Sequence, residues 1–212
     1  MIGRVIVREL RRSAGSSTWL PVAFFLLVAT LVPFAVGPDA RLLSRIGPGI
    51  LWIAGLTAAL LPIERLVEPD RLDGMLDQMK LHGLAEESIA AAKMIGHWLA
   101  FTPSLLIASV PAGVLLGMDG PALARWAGAF SIASAGLAGL AVATAALTAG
   151  VARGSALAGL LLLPLAVPLL IFGATTSGSG RPSALLFEAA ISLLLTAGAP
   201  FVAGAAIRAA RT

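Results

Sequence analysis

Cysteine is absent from these 212 residues. That excludes disulfides, thiolate catalysis, Cys-ligated zinc or iron–sulfur sites, and covalent haem attachment through a C-x-x-C-H motif. Histidine is almost as scarce. His82 and His97 alone are too few for a multi-histidine metal site within one chain. Lysine occurs only at Lys80 and Lys93, and neither follows a glycine or precedes Ser/Thr. A phosphate-binding loop needs that lysine to reach the β/γ phosphates, so ATP, if used, binds another chain. Charged residues make up only 12% of the sequence, against about 25% in a soluble domain. A soluble globular fold is thereby excluded. The net charge of +4 is too small a basic excess for nucleic-acid binding.

What the chain has is long apolar runs. Mean hydropathy is +0.94 and 58% of residues are apolar. A span needs about 20 mostly apolar residues. Six stretches qualify: 18–36, 47–63, 89–116, 122–151, 155–174 and 183–207. These predict an all-α, polytopic membrane protein forming a single permease-like domain over residues 1–212. The third and fourth stretches exceed the bilayer, so tilt or extension into the interface is expected. The first is read as a retained span rather than a signal peptide. Pro38 follows its only small-residue pattern, Ala35 and Gly37, and makes a poor cleavage context.

With six spans both termini share a side. Arg4, Arg8, Arg11, Arg12, Arg65, Arg71, Lys80, Lys93, Arg153, Arg208 and Arg211 fall on that side. Arg41, Arg45, Arg125 and Arg181 fall on the other. The positive-inside rule makes the first side cytoplasmic, giving an N-in, C-in topology.

Residues 1–14 read as an interfacial helix. Ile2, Val5, Ile6 and Leu10 share one face, and Arg4, Arg8, Arg11 and Arg12 share the other. The arginines either meet anionic lipid head groups or simply set topology. Residues 64–88 form the one sizeable polar loop. Between Glu64 and Lys93 lie eleven of the 26 charged residues. Leu72, Met75, Leu76 and Met79 follow i, i+3, i+4, i+7 spacing, which predicts one short amphipathic helix capped by Asp70 and left at Gly83. Such a helix can act as a lever that receives the motion of a separate ATPase, using its apolar face as anchors. The alternative, which the pattern alone favours, is a helix that packs against its own bundle or the membrane face.

Within the membrane, Ala135, Gly139 and Ala143 form a small-xxx-small ridge for close helix approach. Pro164 and Pro168 predict a kink in the fifth span, or a broken helix. His97 is either a ligand or a polar contact between helices, and with no second ligand evident the contact is favoured. Glu188, about one turn inside the last span, is an intramembrane acid near enough to the interface to be hydrated. No nucleophile–base pair appears, which argues against an intramembrane protease or transferase.

The run Ile46-Gly47-Pro48-Gly49-Ile50-Leu51-Trp52, then Glu64-Arg65-Leu66 and Asp73-Gly74-Met75-Leu76-Asp77-Gln78, resembles the haem exporter protein B (CcmB) family. So do Ala92-Lys93-Met94-Ile95-Gly96-His97-Trp98, Leu115-Leu116-Gly117-Met118-Asp119 and the stretch from Leu163 to Phe172. The likeness covers nearly the whole chain in order. It departs at residues 80–87, where the family tends to carry a proline-bearing apolar stretch.

The resemblance implies an ABC-2-like permease subunit of cytochrome c maturation in the bacterial inner membrane. It implies a non-catalytic chain that binds no cofactor itself. ATP and Mg would sit on a dimeric cytoplasmic ATPase, and haem would be cargo of the complex. Further implied partners are a haem-handling membrane subunit, a small accessory subunit, a haem-loaded periplasmic chaperone and membrane lipid. A second copy of this chain is a further candidate. ATPase coupling would fall to Glu64, Arg65, Asp70, Leu72, Asp73, Gly74, Met75, Leu76, Gln78 and Met79. Two other readings remain open at this point: a generic exporter of a lipid, glycan or drug, and a non-transporting scaffold.

Overall fold

The computed structural model describes residues 2–13, 16–37, 39–151 and 154–210. Arg153 and Arg211 lie outside the described residues, and so do the side chains of Arg4 and Arg12. Among the described residues there are only helices and turns. α1 is Ile2–Ser13, α2 is Ser16–Val36 and α3 is Ala40–Leu60. A 3-10 turn, Ile63–Arg65, leads into two short helices, α4 (Glu68–Leu72) and α5 (Met75–Leu81). Then come α6 (Glu86–Leu115), α7 (Gly120–Thr148), α8 (Gly154–Ser179) and α9 (Pro182–Ala209). α2, α3 and α6–α9 are the six helices long and apolar enough to cross a membrane. The chain is a multi-pass membrane protein.

α3 starts at Ala40, before the apolar run expected from residue 47. Asp39 is the reason. Its side chain accepts from the backbone N–H of Arg41 at 3.0 Å and of Leu42 at 3.1 Å, satisfying donors that a helix start leaves free. At 30, 29 and 28 residues, α6, α7 and α9 are each over 40 Å long at about 1.5 Å per residue. They outrun a hydrocarbon core of about 30 Å. α8 passes through Pro164 and Pro168 as one uninterrupted helix, so the broken-helix alternative is not what forms.

α7 is the central post, the most buried of the six spans. Small residues make this work, though the contact is shifted from the expected ridge. A Cβ on Gly136 would come within 2.9 Å of Ser192 Cα, and one on Gly139 within 3.0 Å of Leu195 O. α9 therefore lies against α7 with backbone nearly touching backbone. Ser192 bridges the two, donating to Ile132 O at 2.6 Å and accepting from Gly136 N at 3.1 Å. Such bonds count in a bilayer, where water cannot replace them. Trp98 of α6 donates to Ser134 Oγ of α7 at 2.9 Å.

Toward one end, Trp126 and Phe130 stack at 4.7 Å, with Trp52 edge-on to both and Phe25 tilted against Trp126. Trp52 also donates to Ser177 Oγ at 2.8 Å. Any Cβ on Gly173 would overlap the Trp52 indole. This cluster ties α2, α3, α7 and α8 together.

Gly139→Leu should push α9 off α7. We expect a stability loss of about 1–3 kcal/mol or more, the usual cost of overpacking, read as a lower Tm in detergent. Unfolding at the wild-type temperature would contradict the seam.

Candidate coupling site

α1, the α4–α5 loop, the α7–α8 turn and the end of α9 meet at one end of the bundle. Their meeting is electrostatic. Lys93, near the start of α6, is 1% exposed. Its ammonium donates to Leu66 O at 2.7 Å, to Glu9 Oε1 at 3.2 Å and to Asp70 Oδ2. Arg8 closes the ring, donating to Asp70 at 2.7 Å and to Glu9 at 2.9 Å. Two cations and two carboxylates thus neutralise one another. Burial alone would lower the Arg8 pKa. The hydrogen bond to Glu9 and the charges of Asp70 and Glu9 outweigh it, so its pKa is raised. Backbone shape helps as well: a Cβ on Gly96 would clash with Glu9 Cβ, so α1 rests directly on α6.

Asp70 is not the helix cap the spacing suggested. Val67 holds the cap position of α4 without a side-chain bond, and Asp70 points into the charge cluster, 3% exposed. Nor is there one helix through Leu72 and Met79. Gly74 adopts φ +66°, a left-handed backbone that favours glycine, and splits the segment into α4 and α5. The split separates the apolar residues. Leu76 and Met79 are buried against the bundle, and Met75 is half-buried. Leu72 and Leu81 stand out at 69% and 87% exposed. Glu64, Arg65, Asp73 and Gln78 are exposed beside them. Between α1 and α5 lies a cavity of about 480 Å³, lined by Val5, Arg8, Met75, Gln78, Met79 and His82 among others.

Of the arginines expected at the membrane interface, Arg11 is exposed, while Arg8 is turned inward to the cluster. The apolar face of α1 is likewise used internally, with Val5 buried.

Other ties were not singled out in the sequence. Glu68 accepts a two-pronged bond from Arg71, at 3.0 and 2.7 Å, and one from Gly150 N at 2.9 Å. That fastens α4 to the α7–α8 turn. Lys80 pairs with Glu86 at 2.8 Å, and Arg208 of α9 pairs with Glu87. The α4–α5 segment is thus tied to α1, α6 and the α7–α8 turn, and α6 in turn to α9.

His97 is buried with its Nε2 unpartnered, its ring beside the α3 backbone at Ala59 and 4.7 Å from Phe101 one turn along α6. That is a contact between helices. Glu188 is enclosed rather than hydrated, fully buried beside Thr176.

Six apolar spans with a charge-anchored pair of short helices at one end define a polytopic helical membrane protein. Comparison with known sequences is specific. The family described as CcmB protein matches residues 1–210. Heme exporter protein B of Paracoccus denitrificans is 42% identical over 211 residues, covering 96% of this chain and 97% of that protein. The proteins of the same name from Bradyrhizobium diazoefficiens and Escherichia coli K12 are each 38% identical, covering 98% of this chain and 97% or 98% of theirs. The chain belongs to the CcmB family.

Lys93→Met should leave the buried carboxylates of Glu9 and Asp70 with Arg8 alone of their two shared cations, a loss of about 3–5 kcal/mol. Hydrogen exchange in residues 2–13 should rise as α1 lets go. Unchanged protection of α1 would contradict the account of the cluster.

Proposed function

We propose that this chain is the membrane permease subunit of an ATP-binding-cassette complex of cytochrome c maturation. It works in a bacterial inner membrane, with both termini on the cytoplasmic side. It converts the motion of a partner ATPase dimer into export of haem or release of a haem-loaded periplasmic chaperone. The chain itself is non-catalytic: ATP and Mg²⁺ sit on the ATPase, and a haem-handling subunit and a small accessory subunit complete the assembly. The name shared by its relatives supports the haem cargo.

One observation supports the coupling role. An exposed apolar edge, Leu72 and Leu81, is carried on helices locked to α1 and α6 by buried charges. Exposed leucines on short helices can serve as anchors in a groove on an ATPase subunit. Glu64, Arg65, Asp73 and Gln78 ring the contact, and Gly74 sets the angle between the two helices. Met75, Leu76 and Met79 face inward with Asp70 and hold the lever to the bundle. Arg11, exposed on α1, rests at lipid head groups.

Leu72→Asp should leave the chain folded and inserted, because the side chain is exposed. Loss of a central apolar anchor weakens binding by about 2 kcal/mol or more, upwards of tenfold. The ATPase subunit should then fail to co-purify, and haem-stained c-type cytochromes should vanish from a deletion strain carrying the variant. Full cytochrome staining with the variant would defeat the coupling site. Full staining in the deletion strain itself would point instead to a generic exporter.

A further inference from the structure

The end of the bundle away from the termini holds four arginines, Arg41, Arg45, Arg125 and Arg181. Their surroundings differ from those of most cations at the terminal end, where exposed Arg11 and Arg65 are the exceptions among the described residues. At the terminal end Arg8, Arg71, Lys80, Lys93 and Arg208 all pair with carboxylates. Arg45, Arg125 and Arg181 make no ion pair among the described residues. Of the carboxylates near them, Asp119 caps α7, accepting from Ala122 N at 2.7 Å, and Glu188 is fully buried beside Thr176, which also lines a cavity that Arg125 and Arg181 border.

These three arginines line two adjoining cavities. The first, about 460 Å³, lies between α3, α7 and the end of α8, with Ser44, Arg45, Asp119, Arg125 and Ser177 in its walls. The second, about 350 Å³, lies between α7, α8 and α9 and is walled largely by apolar groups: Ala129, Ile132, Pro182 and Leu185, with Arg125 and Arg181 at its rim. Arg125 borders both. Its stem lies against Gly180, 3.6 Å from where a Cβ would stand, and its Nε donates a long bond, 3.4 Å, to Ser177 O. Nε is thus engaged while the two terminal nitrogens make no ion pair. Each cavity alone is of ligand size, and the pair is polar on one side and apolar on the other. A guanidinium fork suits a carboxylate or phosphate better than any other common group.

We infer that the paired cavities bind an amphiphile with an anionic carboxylate or phosphate head group. Its head lies between Arg45 and Arg125, and its apolar body passes Arg125 onto Ala129, Ile132 and Leu185. This site is at the opposite end of the bundle from the coupling helices and does not depend on the coupling role. An anionic phospholipid and a dicarboxylate porphyrin share the chemistry it reads.

The test is native mass spectrometry of the purified complex containing the full chain. It is titrated separately with phosphatidylglycerol and with haemin, and with zwitterionic phosphatidylcholine as reference. We expect one anionic probe to bind selectively over phosphatidylcholine. Arg45→Gln and Arg125→Gln should each weaken it by about tenfold or more, since each removes a charged hydrogen bond. Arg41→Gln, at the same end but outside both cavities, should not. Ala122→Trp, which fills the first cavity without touching charge, should also block it. Selective phosphatidylglycerol binding identifies a lipid site, and selective haemin binding identifies a porphyrin site. No selective binding of either probe to the wild-type complex overturns the proposal, and so does binding that survives all three cavity substitutions.

Discussion

The seating of α1 and α4 at the terminal end of this protein depends on Lys93. An ammonium 1% exposed at the start of a membrane helix is tolerable only if its charge and its protons are fully taken up. Three acceptors do this, and they come from three places in the chain: Glu9 of α1, Leu66 after the 3-10 turn and Asp70 of α4. The requirement therefore assembles the architecture. α1 cannot lie freely on the membrane, and α4 cannot hang freely in water, because each supplies a partner the buried lysine needs. Arg8 then neutralises the second carboxylate. A cluster of this kind adds little net stability over an apolar one of equal size. What it supplies here is specificity of position, joining an exposed apolar edge to the inner ends of the spans.

Stiffness on the far side of that joint comes from different physics. In a bilayer the gain from burying apolar groups is weak, so close packing and interhelical hydrogen bonds must hold the spans. α7 meets α9 where Gly136 and Gly139 let the backbones touch, and Ser192 bridges them. The indole of Trp52, seated on Gly173 and bonded to Ser177, holds α3 to α8. Glu68 ties α4 to Gly150 and Arg208 ties α9 to Glu87, so the loop and the ends of the spans are joined at several points.

The spans, the amphipathic start and the polar loop were legible in the sequence, because each rests on local periodicity and composition. The charge cluster was not. Glu9 and Lys93 lie 84 positions apart, and no spacing rule joins them. Arg8 looked like a head-group arginine for the same reason: its partner Asp70 is 62 residues away. The single loop helix failed locally. The i, i+3, i+4, i+7 pattern of Leu72 to Met79 is real, but Gly74 sits inside it and takes a left-handed backbone. Gly74 was visible in the sequence as the residue able to break the helix. The packing glycine Gly139 was read from its spacing, whereas Gly136, equally close to α9, lay outside the ridge pattern.

The central claim is that the buried charges carry motion from the loop to the spans. Because the chain has no cysteine, two introduced cysteines can be labelled uniquely. Labels at Leu81→Cys on α5 and Val114→Cys near the far end of α6 would report their distance by pulsed electron paramagnetic resonance in the assembled complex, with and without trapped nucleotide. The account predicts a nucleotide-dependent change in the otherwise unaltered chain. It predicts that the change is lost in Asp70→Asn while the ATPase subunit still co-purifies. The same change persisting in Asp70→Asn would contradict it.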